Sequence, residues 1–475
     1  MGVTKTTLLE RARHIADKFD VNDEDVRRCA TEFIRELRLG LQQETPSMCQ
    51  IPTYVTQISS GSENGLSLGV DLGGTNLRVC SVHLHGDATT TVLQSQLPVP
   101  AEVMVAETAQ ELFLFIAKRI EDFLKTYHQP ALELAEKDSA HPFFSLGFTF
   151  SFPAYQTAVN SGILLRWTKG FDIPGAVNQD VCVLLQTEID RLRLPVKVTA
   201  LVNDAMGTIM SRAYSLPISN ERPAVGAIFG TGTNGVYMEQ LQAVSKHLDG
   251  EFDSSSGRMF MSTEWGSFDN KLSVLPVTPY DTKLDRNSVN PGNQMFEKRI
   301  SGMFLGELLR LAVLELYGDG WSVNSSVLSV AQADTTYTLL PLRKKIGEAF
   351  EIPEGRITVE DAQAVKAIAF AIGRRAAWLA GMAIGSVILQ GKLLEGEGSG
   401  VQVDKKVDVA VDGSVVEHYP GFETYMREAL QAMDGIGKEG EARIVIGHTK
   451  DGSSVGAAII ALLAAQQVAP NTRHL

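Results

Sequence analysis

The stretch Leu68-Gly-Val-Asp-Leu-Gly-Gly-Thr-Asn-Leu-Arg-Val-Cys-Ser-Val82 decides how this chain is to be read. Two apolar runs flank the pair Gly73-Gly74, the pattern of a β-hairpin closed by a tight turn. Glycines let a backbone approach a ligand closely, and the turn's N–H dipoles favour negative charge, so such a turn can cradle phosphate. Asp71 cannot bind phosphate directly and fits better as a ligand to magnesium through water. A related segment follows later, Ala227-Ile-Phe-Gly-Thr-Gly-Thr-Asn-Gly-Val-Tyr237. Either hairpin alone is more often just a turn. Two of them, each with Thr-Asn after its glycines, suggest two similar halves facing one nucleotide.

The chain has 475 residues, enough for two large domains or one bilobal unit with a cleft. Its composition, 44% hydrophobic and 21% charged, can bury a sizeable core. A net charge of −13 argues against non-specific binding to nucleic acid or to an anionic membrane, but not against a nucleotide met by local donors and a cation. Cys29, Cys49, Cys80 and Cys182 show no metal spacing and read as reduced thiols of a cytoplasmic protein. The N-terminus is polar, with no signal-peptide pattern. Gly2 and Thr6 match the short N-myristoylation pattern, and an ordinary polar start is the preferred reading. The apolar segment Val365 to Leu389 has the length of a membrane span. Arg374 and Arg375 in its middle would each cost about 2.5–3.5 kcal/mol there, so a buried helix is expected instead.

From Leu8 to Leu41 the spacing is helical, with Asn22 or Asp23 as a cap for the second helix. Gln50–Val55 reads as a short extended link, and Ser59–Gly65 as a turn cluster at a domain boundary. Beyond it, strands and helices alternate, which indicates an α/β protein. Strands are expected at Phe143–Phe150 and Val196–Val202, in a strand that Asp408–Asp412 ends, and at Arg443–Ile446. Helices are expected at Leu112–Leu124, Asn178–Leu192, Met206–Ala213, Ile300–Leu316, Phe422–Met433 and Gly452–Gln467. Leu394–Gly400 reads as a flexible loop.

Several polar residues are placed where chemistry is done. Asp204 follows a strand, where catalytic carboxylates of α/β proteins gather, and an ionised Asp there can accept a hydroxyl proton during attack on phosphorus. Taken alone, the motif reads more readily as a cap for the next helix, since Asp before a helical run is a common cap. Ser151 follows the strand ending at Phe150, and Thr168-Lys169 lies downstream; hydroxyls suit a sugar, and a cation suits a transferring phosphoryl group. Taken alone, that segment is also an ordinary solvated loop. Glu264 sits between Thr263 and Trp265, and Asn290 and Glu297 bracket a turn; two carboxylates can accept from the diols of one sugar ring. The Gly/Ser turns Asp412-Gly413-Ser414 and Asp451-Gly452-Ser453 include one that opens a helix, whose free N–H groups suit a phosphate.

In this order the segments resemble the hexokinase family of sugar kinases, most closely its fungal glucokinases. The resemblance rests on Asp71-Leu-Gly-Gly-Thr-Asn76, Ser151-Phe-Pro153, Leu165-Arg-Trp-Thr-Lys-Gly170, Asn203-Asp204, Gly230-Thr-Gly-Thr-Asn234, Thr263-Glu-Trp-Gly266, Asn290-Pro-Gly292 with Phe296-Glu-Lys298, and Asp451-Gly-Ser453, and it spans about Leu8 to Gln467. It implies a two-lobed, actin-like ATPase fold of the ribonuclease H-like kind with a central cleft. One lobe would comprise 64–202 plus 453–475, the other 1–63 plus 203–452. By resemblance Asp204 is the catalytic base with Lys169 beside it. Ser151, Thr168, Lys169, Asn203, Asp204, Asn234, Glu264, Asn290 and Glu297 would contact sugar. The first phosphate loop would be Asp71, Gly73, Gly74, Thr75 and Asn76, and the second Gly230, Thr231, Gly232 and Thr233. Asp412, Gly413, Ser414 and Ser453 would lie on the nucleotide side. ATP and Mg²⁺ are implied, with no direct protein ligand to the metal and Asp71 and Asp204 acting through water.

The implied activity is ATP-dependent phosphorylation of glucose, with mannose or other hexoses as further substrates, at the 6-hydroxyl in the first step of glycolysis. A cytoplasmic monomer or homodimer is expected, with small-molecule partners only. The chain departs from the family pattern at Leu77, at Ala205, where a Thr is usual, and at Ser454, where a glycine is usual. A non-glycine at 454 narrows the backbone if that position has positive φ. These departures motivate an alternative, a glucose-binding regulatory sensor with weak or no kinase activity. An actin-like structural protein would keep the nucleotide loops but not the sugar-side motifs present here.

Overall fold

The computed structural model describes residues 6–43, 47–74, 76–135, 144–318, 326–349, 351–353, 355–395, 406–449 and 451–468. Thirteen strands occur among them: β1 (Ile51–Pro52), β2 (Asn64–Leu72), β3 (Asn76–His85), β4 (Thr90–Pro98), β5 (Phe144–Phe150), β6 (Ala154–Ala158), β7 (Ser161–Leu164), β8 (Val196–Val202), β9 (Val225–Phe229), β10 (Thr233–Gln240), β11 (Arg258–Ser262), β12 (Val407–Asp412) and β13 (Ile444–His448). They form two main sheets, β4-β3-β2-β5-β8 and β1-β11-β10-β9-β12-β13, and the small ribbon β6-β7.

The two main sheets share one topology. In the first, β2, β3 and β4 are antiparallel neighbours in sequence order, and β5 then β8 add in parallel beyond β2. In the second, β9, β10 and β11 repeat the antiparallel set, and β12 then β13 add in parallel beyond β9. Each sheet thus has a glycine-rich turn between its first and second strands, as the paired hairpins predict. Parallel pairing leaves the inner strands covered on both faces. β9 is accordingly buried along its whole length, and β5 at every residue but Ser145.

Two helices fill the space between the sheets. Asp204–Ser215 packs on β9, β10 and β12, whereas Gly452–Val468 packs on β2, β5 and β8, and the two helices lie against each other. Their apolar side chains, among them Met206, Ile209, Ile459 and Ile460, form one buried cluster with Val82 from the first sheet and Val236 from the second. Two mixed sheets with helices packed between them make the α/β architecture expected from the sequence.

The long apolar segment is a helix, Val359–Gln390, started by Thr358 and Asp361 in a capping box. It is long and apolar enough to cross a membrane, yet most of its apolar stretch is buried in the protein. Its two arginines are both paired. Arg375 makes a two-pronged contact with Asp281 at 2.8 and 2.9 Å, and Arg374 reaches Asp20 at 2.9 Å while lying over the Trp378 ring. Burial opposes ionisation of Asp281, but Arg375, together with Arg299 and the Thr278 hydroxyl, more than offsets it and brings that carboxyl down to about 2.

Some sequence expectations shift. Gln50–Val55 is more than a link: Ile51 and Pro52 pair with Ser262 and Met261 and add an edge strand to the second sheet. The helix expected from Asn178 begins at Val181, because Asn178 has φ 64° and the Asp180 side chain caps it. Asn22, rather than Asp23, caps the second helix. Phe143, residues 396–400 of the expected loop, the N-terminal Gly2 and the segment 469–475 lie outside the described residues.

Candidate active site

Many of the singled-out residues sit at the carboxyl end of a parallel strand or in one of the two glycine turns, while Thr168, Lys169, Glu264, Asn290, Glu297 and Ser453 come from other loops and helix starts. Ser151 follows β5, Asn203 and Asp204 follow β8, Gly230 follows β9, Gly413 follows β12, and Thr449 follows β13. Open α/β sheets bind ligands there, because strand ends release backbone groups and side chains into one crevice.

The helix after β8 is capped by Asn203, whose Oδ1 accepts from the Met206 N–H at 2.7 Å. Asp204 is therefore not the cap. One of its oxygens accepts from the Ala205 N–H at 2.9 Å, and the other makes no protein hydrogen bond among the described residues. Three carboxylates, Asp71, Glu264 and Glu297, lie within its electrostatic reach; Lys169 acts on Asp71 and Glu297, and Arg166 on Glu264. Burial pushes the carboxyls of Asp71, Glu264 and Glu297 up from their ordinary range, and the charge on Asp204 adds to it. This anionic excess suits hydroxyl donors and a divalent cation.

Glu264 is held in a frame. Its Oε1 accepts from Asn234 Nδ2 at 2.9 Å and from Ser262 Oγ at 2.8 Å. Asn234 Nδ2 also donates to Ser262 Oγ at 2.9 Å, while Asn234 Oδ1 accepts from the Gly235 and Glu264 N–H groups at 2.8 and 3.1 Å. Next to it, Trp265 Nε1 donates to Thr233 Oγ1 at 2.8 Å, tying the Thr263–Gly266 segment to the second glycine turn. Glu297 Oε2 accepts from the Thr233 N–H at 2.9 Å, so this carboxylate abuts the same loop.

That loop is clamped from behind. The Gly230 carbonyl accepts from the Gly302 N–H at 2.8 Å and the Thr231 carbonyl from the Met303 N–H at 3.3 Å, while the Thr231 and Gly232 N–H groups have no partner among the described residues. Gly413 presses on it with φ 117°, and a Cβ there would lie 2.7 Å from Gly230 N, so only glycine fits. Asp412 accepts from the Gly413 N–H at 2.7 Å and the Gly452 N–H at 3.0 Å; Ser414 is exposed at the start of a short helix.

In the first loop the Gly73 N–H donates to the Asn76 carbonyl at 3.0 Å, and Gly74 lies against the Lys169 side chain. Thr75 lies outside the described residues. Lys169 Nζ donates to the Ser151 carbonyl at 2.7 Å, and no protein group binds the hydroxyls of Ser151 and Thr168 among the described residues. Ser453 Oγ donates to Asp71 Oδ2 at 2.5 Å, so the loop hairpin and the C-terminal helix meet at Asp71. Ser454 is buried within that helix and is not among the positive-φ residues, so no backbone strain arises from its not being glycine.

Asn290 is the least integrated of the expected residues. Its carbonyl accepts from Lys298 Nζ at 2.9 Å, its side-chain oxygen is buried without a partner, and no hydrogen bond joins it to Asn234, Glu264 or Glu297 among the described residues. The sequence reading passed over three contributors: Ser262; Arg78, whose Nη2 reaches Asp451 at 3.0 Å beside the first loop; and Gln294, in the turn before Glu297. Gln294 shares a left-handed backbone with Lys169, Glu264 and Asp451, at φ 54–57°. Strained non-glycine backbone collects at functional sites, and four such residues surround this cleft.

Family models described as "Hexokinase" match residues 11–214 and 224–463. The chain is 46% identical to the glucokinase of Aspergillus niger over 97% of its own length and 98% of that protein, and 36% identical to glucokinase-1 of Saccharomyces cerevisiae over 97% and 98%. Among solved structures it is similar to the hexokinase from Schistosoma mansoni complexed with glucose, at a TM-score of 0.81 and 32% identity, covering 96% of this chain and 99% of that one. Matching sheets, glycine turns and sequence over nearly the whole length lead to one conclusion: the chain belongs to the hexokinase family.

Proposed function

We propose that the protein transfers the γ-phosphoryl group of ATP to the 6-hydroxyl of glucose, giving glucose 6-phosphate and ADP. The observation that carries this reading is the open oxygen of Asp204, which stands at the end of β8 between two sugar-side carboxylates and two glycine turns. In this role Asp204 accepts the 6-hydroxyl proton as that oxygen attacks phosphorus. Glu264 and Glu297 each have one oxygen without a protein partner among the described residues, ready to accept from ring hydroxyls. The Asn203 amide and the hydroxyls of Ser151 and Thr168 complete the set. Both Asn234 amide hydrogens are engaged by protein, so its part is to hold Glu264, and a sugar contact would exchange one of those bonds. Asn290 acts at most through Lys298 and the turn to Glu297.

The free N–H groups of Thr231 and Gly232, with Gly74 and the Asp412–Ser414 and Ser453 turns, face the nucleotide phosphates. Lys169 offsets charge on the transferring group. Among the described residues no cluster of three or more His, Cys, Asp or Glu could hold a metal directly. Asp71 and Asp204, with one anchored oxygen each, fit a water-bearing Mg²⁺. When bound with ATP, that ion neutralises charge on the β- and γ-phosphates. We place the lobe boundaries at 64–202 with 453–475 and 1–63 with 203–452, and their closure would exclude water from the cleft. Four free cysteines support a reducing, cytoplasmic setting. The sensor alternative drew on Ala205 and Ser454; the ordinary helical backbone of Ser454 favours the enzyme.

A coupled assay for glucose 6-phosphate, with Mg-ATP and glucose, mannose or fructose in turn, tests the reading. Turnover of about 1–100 s⁻¹ or more supports it. Turnover below about 0.01 s⁻¹, while glucose still raises the melting temperature, would turn the assignment to a sensor.

A second expectation concerns pH. Burial favours the neutral forms of Glu264 and Glu297, so each takes up its proton at a higher pH than an ordinary glutamate. A protonated carboxyl accepts fewer sugar hydroxyls, so KM for glucose should rise as pH falls, beginning above the ordinary glutamate value of about 4.3. A KM that stays flat down to about pH 4.5 would remove both carboxylates from the sugar site.

A further inference from the structure

Asn234 and Ser262 stand on adjacent antiparallel strands, and the register Val236↔Ser262 puts them diagonally across the ladder on one face. Ser262 closes β11 and is 1% exposed. Its hydroxyl is used fully: it donates to Glu264 Oε1 at 2.8 Å and accepts from Asn234 Nδ2 at 2.9 Å. Glu264 needs such a hold. It begins a single 3₁₀ turn in the left-handed region at φ 54°, where a β-carbon is strained, and its carboxylate faces Asp204 at the head of the helix after β8 and Arg166 in the loop after β7. Glu297, from the turn beyond, adds a third nearby carboxylate. Without the Ser262 donor, Asn234 alone would hold Oε1 against the repulsion of Asp204 and the pull of Arg166.

We propose that Ser262 is a positioning residue for sugar recognition: its buried hydroxyl fixes the Glu264 carboxylate and the Asn234 amide as one unit, leaving Glu264 Oε2 aimed at a hexose hydroxyl. The inference rests on the kinase reading above and names how that site is held. Because Glu264 contacts sugar in ground and transition states alike, losing its orientation weakens both equally, so the effect falls on KM and not on kcat.

The test compares Ser262→Ala, and the near-isosteric pair Ser262→Thr and Ser262→Val, with the parent protein. Hydrogen bonds to charged groups are among the stronger ones, so Ser262→Ala should raise KM for glucose about 10- to 100-fold, with kcat within about threefold. The acid-side rise in KM should move to higher pH, since the hydroxyl stabilises the ionised carboxylate. Ser262→Thr should keep the parent KM and Ser262→Val should not; this pair carries the test if Ser262→Ala folds poorly. An unchanged KM and acid limb in Ser262→Ala, or Thr and Val variants alike, overturns the proposal. A parent protein that makes no glucose 6-phosphate would defeat the kinase reading itself, which is a separate outcome.

Discussion

Asp204→Ala is expected to lower kcat by about 10²–10⁴-fold, the range for loss of a general base, or about 2.7–5.5 kcal/mol of barrier. Glucose should still bind, because the Glu264–Ser262–Asn234 frame and the Glu297–Thr233 contact do not pass through Asp204. The neighbouring carboxylates are each tied through one oxygen to another part of the site. Asp71 is bonded to Ser453 at 2.5 Å, Glu264 receives two hydrogen bonds on one oxygen, and Glu297 accepts from the Thr233 N–H in the second glycine turn. Asp204→Asn separates chemistry from structure, since its amide oxygen can still accept from the Ala205 N–H at the helix start. Both variants should keep a glucose-dependent rise in melting temperature while turnover collapses. Turnover within tenfold of the parent in either variant would mean that another group takes the proton.

Much of this site was legible because its elements carry local signals. A glycine pair between alternating apolar runs can hardly be anything but a turn between strands, and both predicted hairpins stand where expected. The order of strands within each sheet was not legible, since periodicity tells which residues form strands but not which strands pair. Ile51 and Pro52 show this: two residues joining β11 through partners far along the chain carry no periodic pattern. Asn203 and Asp204 are both good caps, and only the point where β8 ends decides that Asn203 takes that place and leaves Asp204 to the cleft. Ser262 looked like any hydroxyl at a strand end, because its meaning comes from Asn234 across the ladder. The Arg78–Asp451 pair lies between segments at opposite ends of the chain and leaves no trace in either.

The largest stability effect should come from a residue that touches no ligand. Where the two central helices cross, Gly456 faces Gly207, and a Cβ on Gly456 would lie 1.9 Å from the Gly207 carbonyl oxygen. On the sheet side, a Cβ on Gly147 would lie 2.0 Å from the Ala457 carbonyl, and one on Gly69 would lie 2.2 Å from the Ser454 carbonyl. The obstacles are helix backbone and cannot rotate away as a side chain can. Overpacking typically costs about 1–3 kcal/mol, and Gly456→Ala should lie at or beyond the top of that range, with Tm falling by about 3 °C or more. Gly175→Ala is the control, since its added methyl would sit at 3.4 Å from the Ala109 nitrogen, an ordinary contact, and its Tm should stay close to that of the parent. Function should suffer with stability, because the helix that the added methyl pushes away carries Asp204, and its partner brings Ser453 to Asp71. If Gly456→Ala melts with the parent and keeps its turnover, the helices have room to separate, and the close glycine contact is not what fixes Asp204 relative to the first glycine turn.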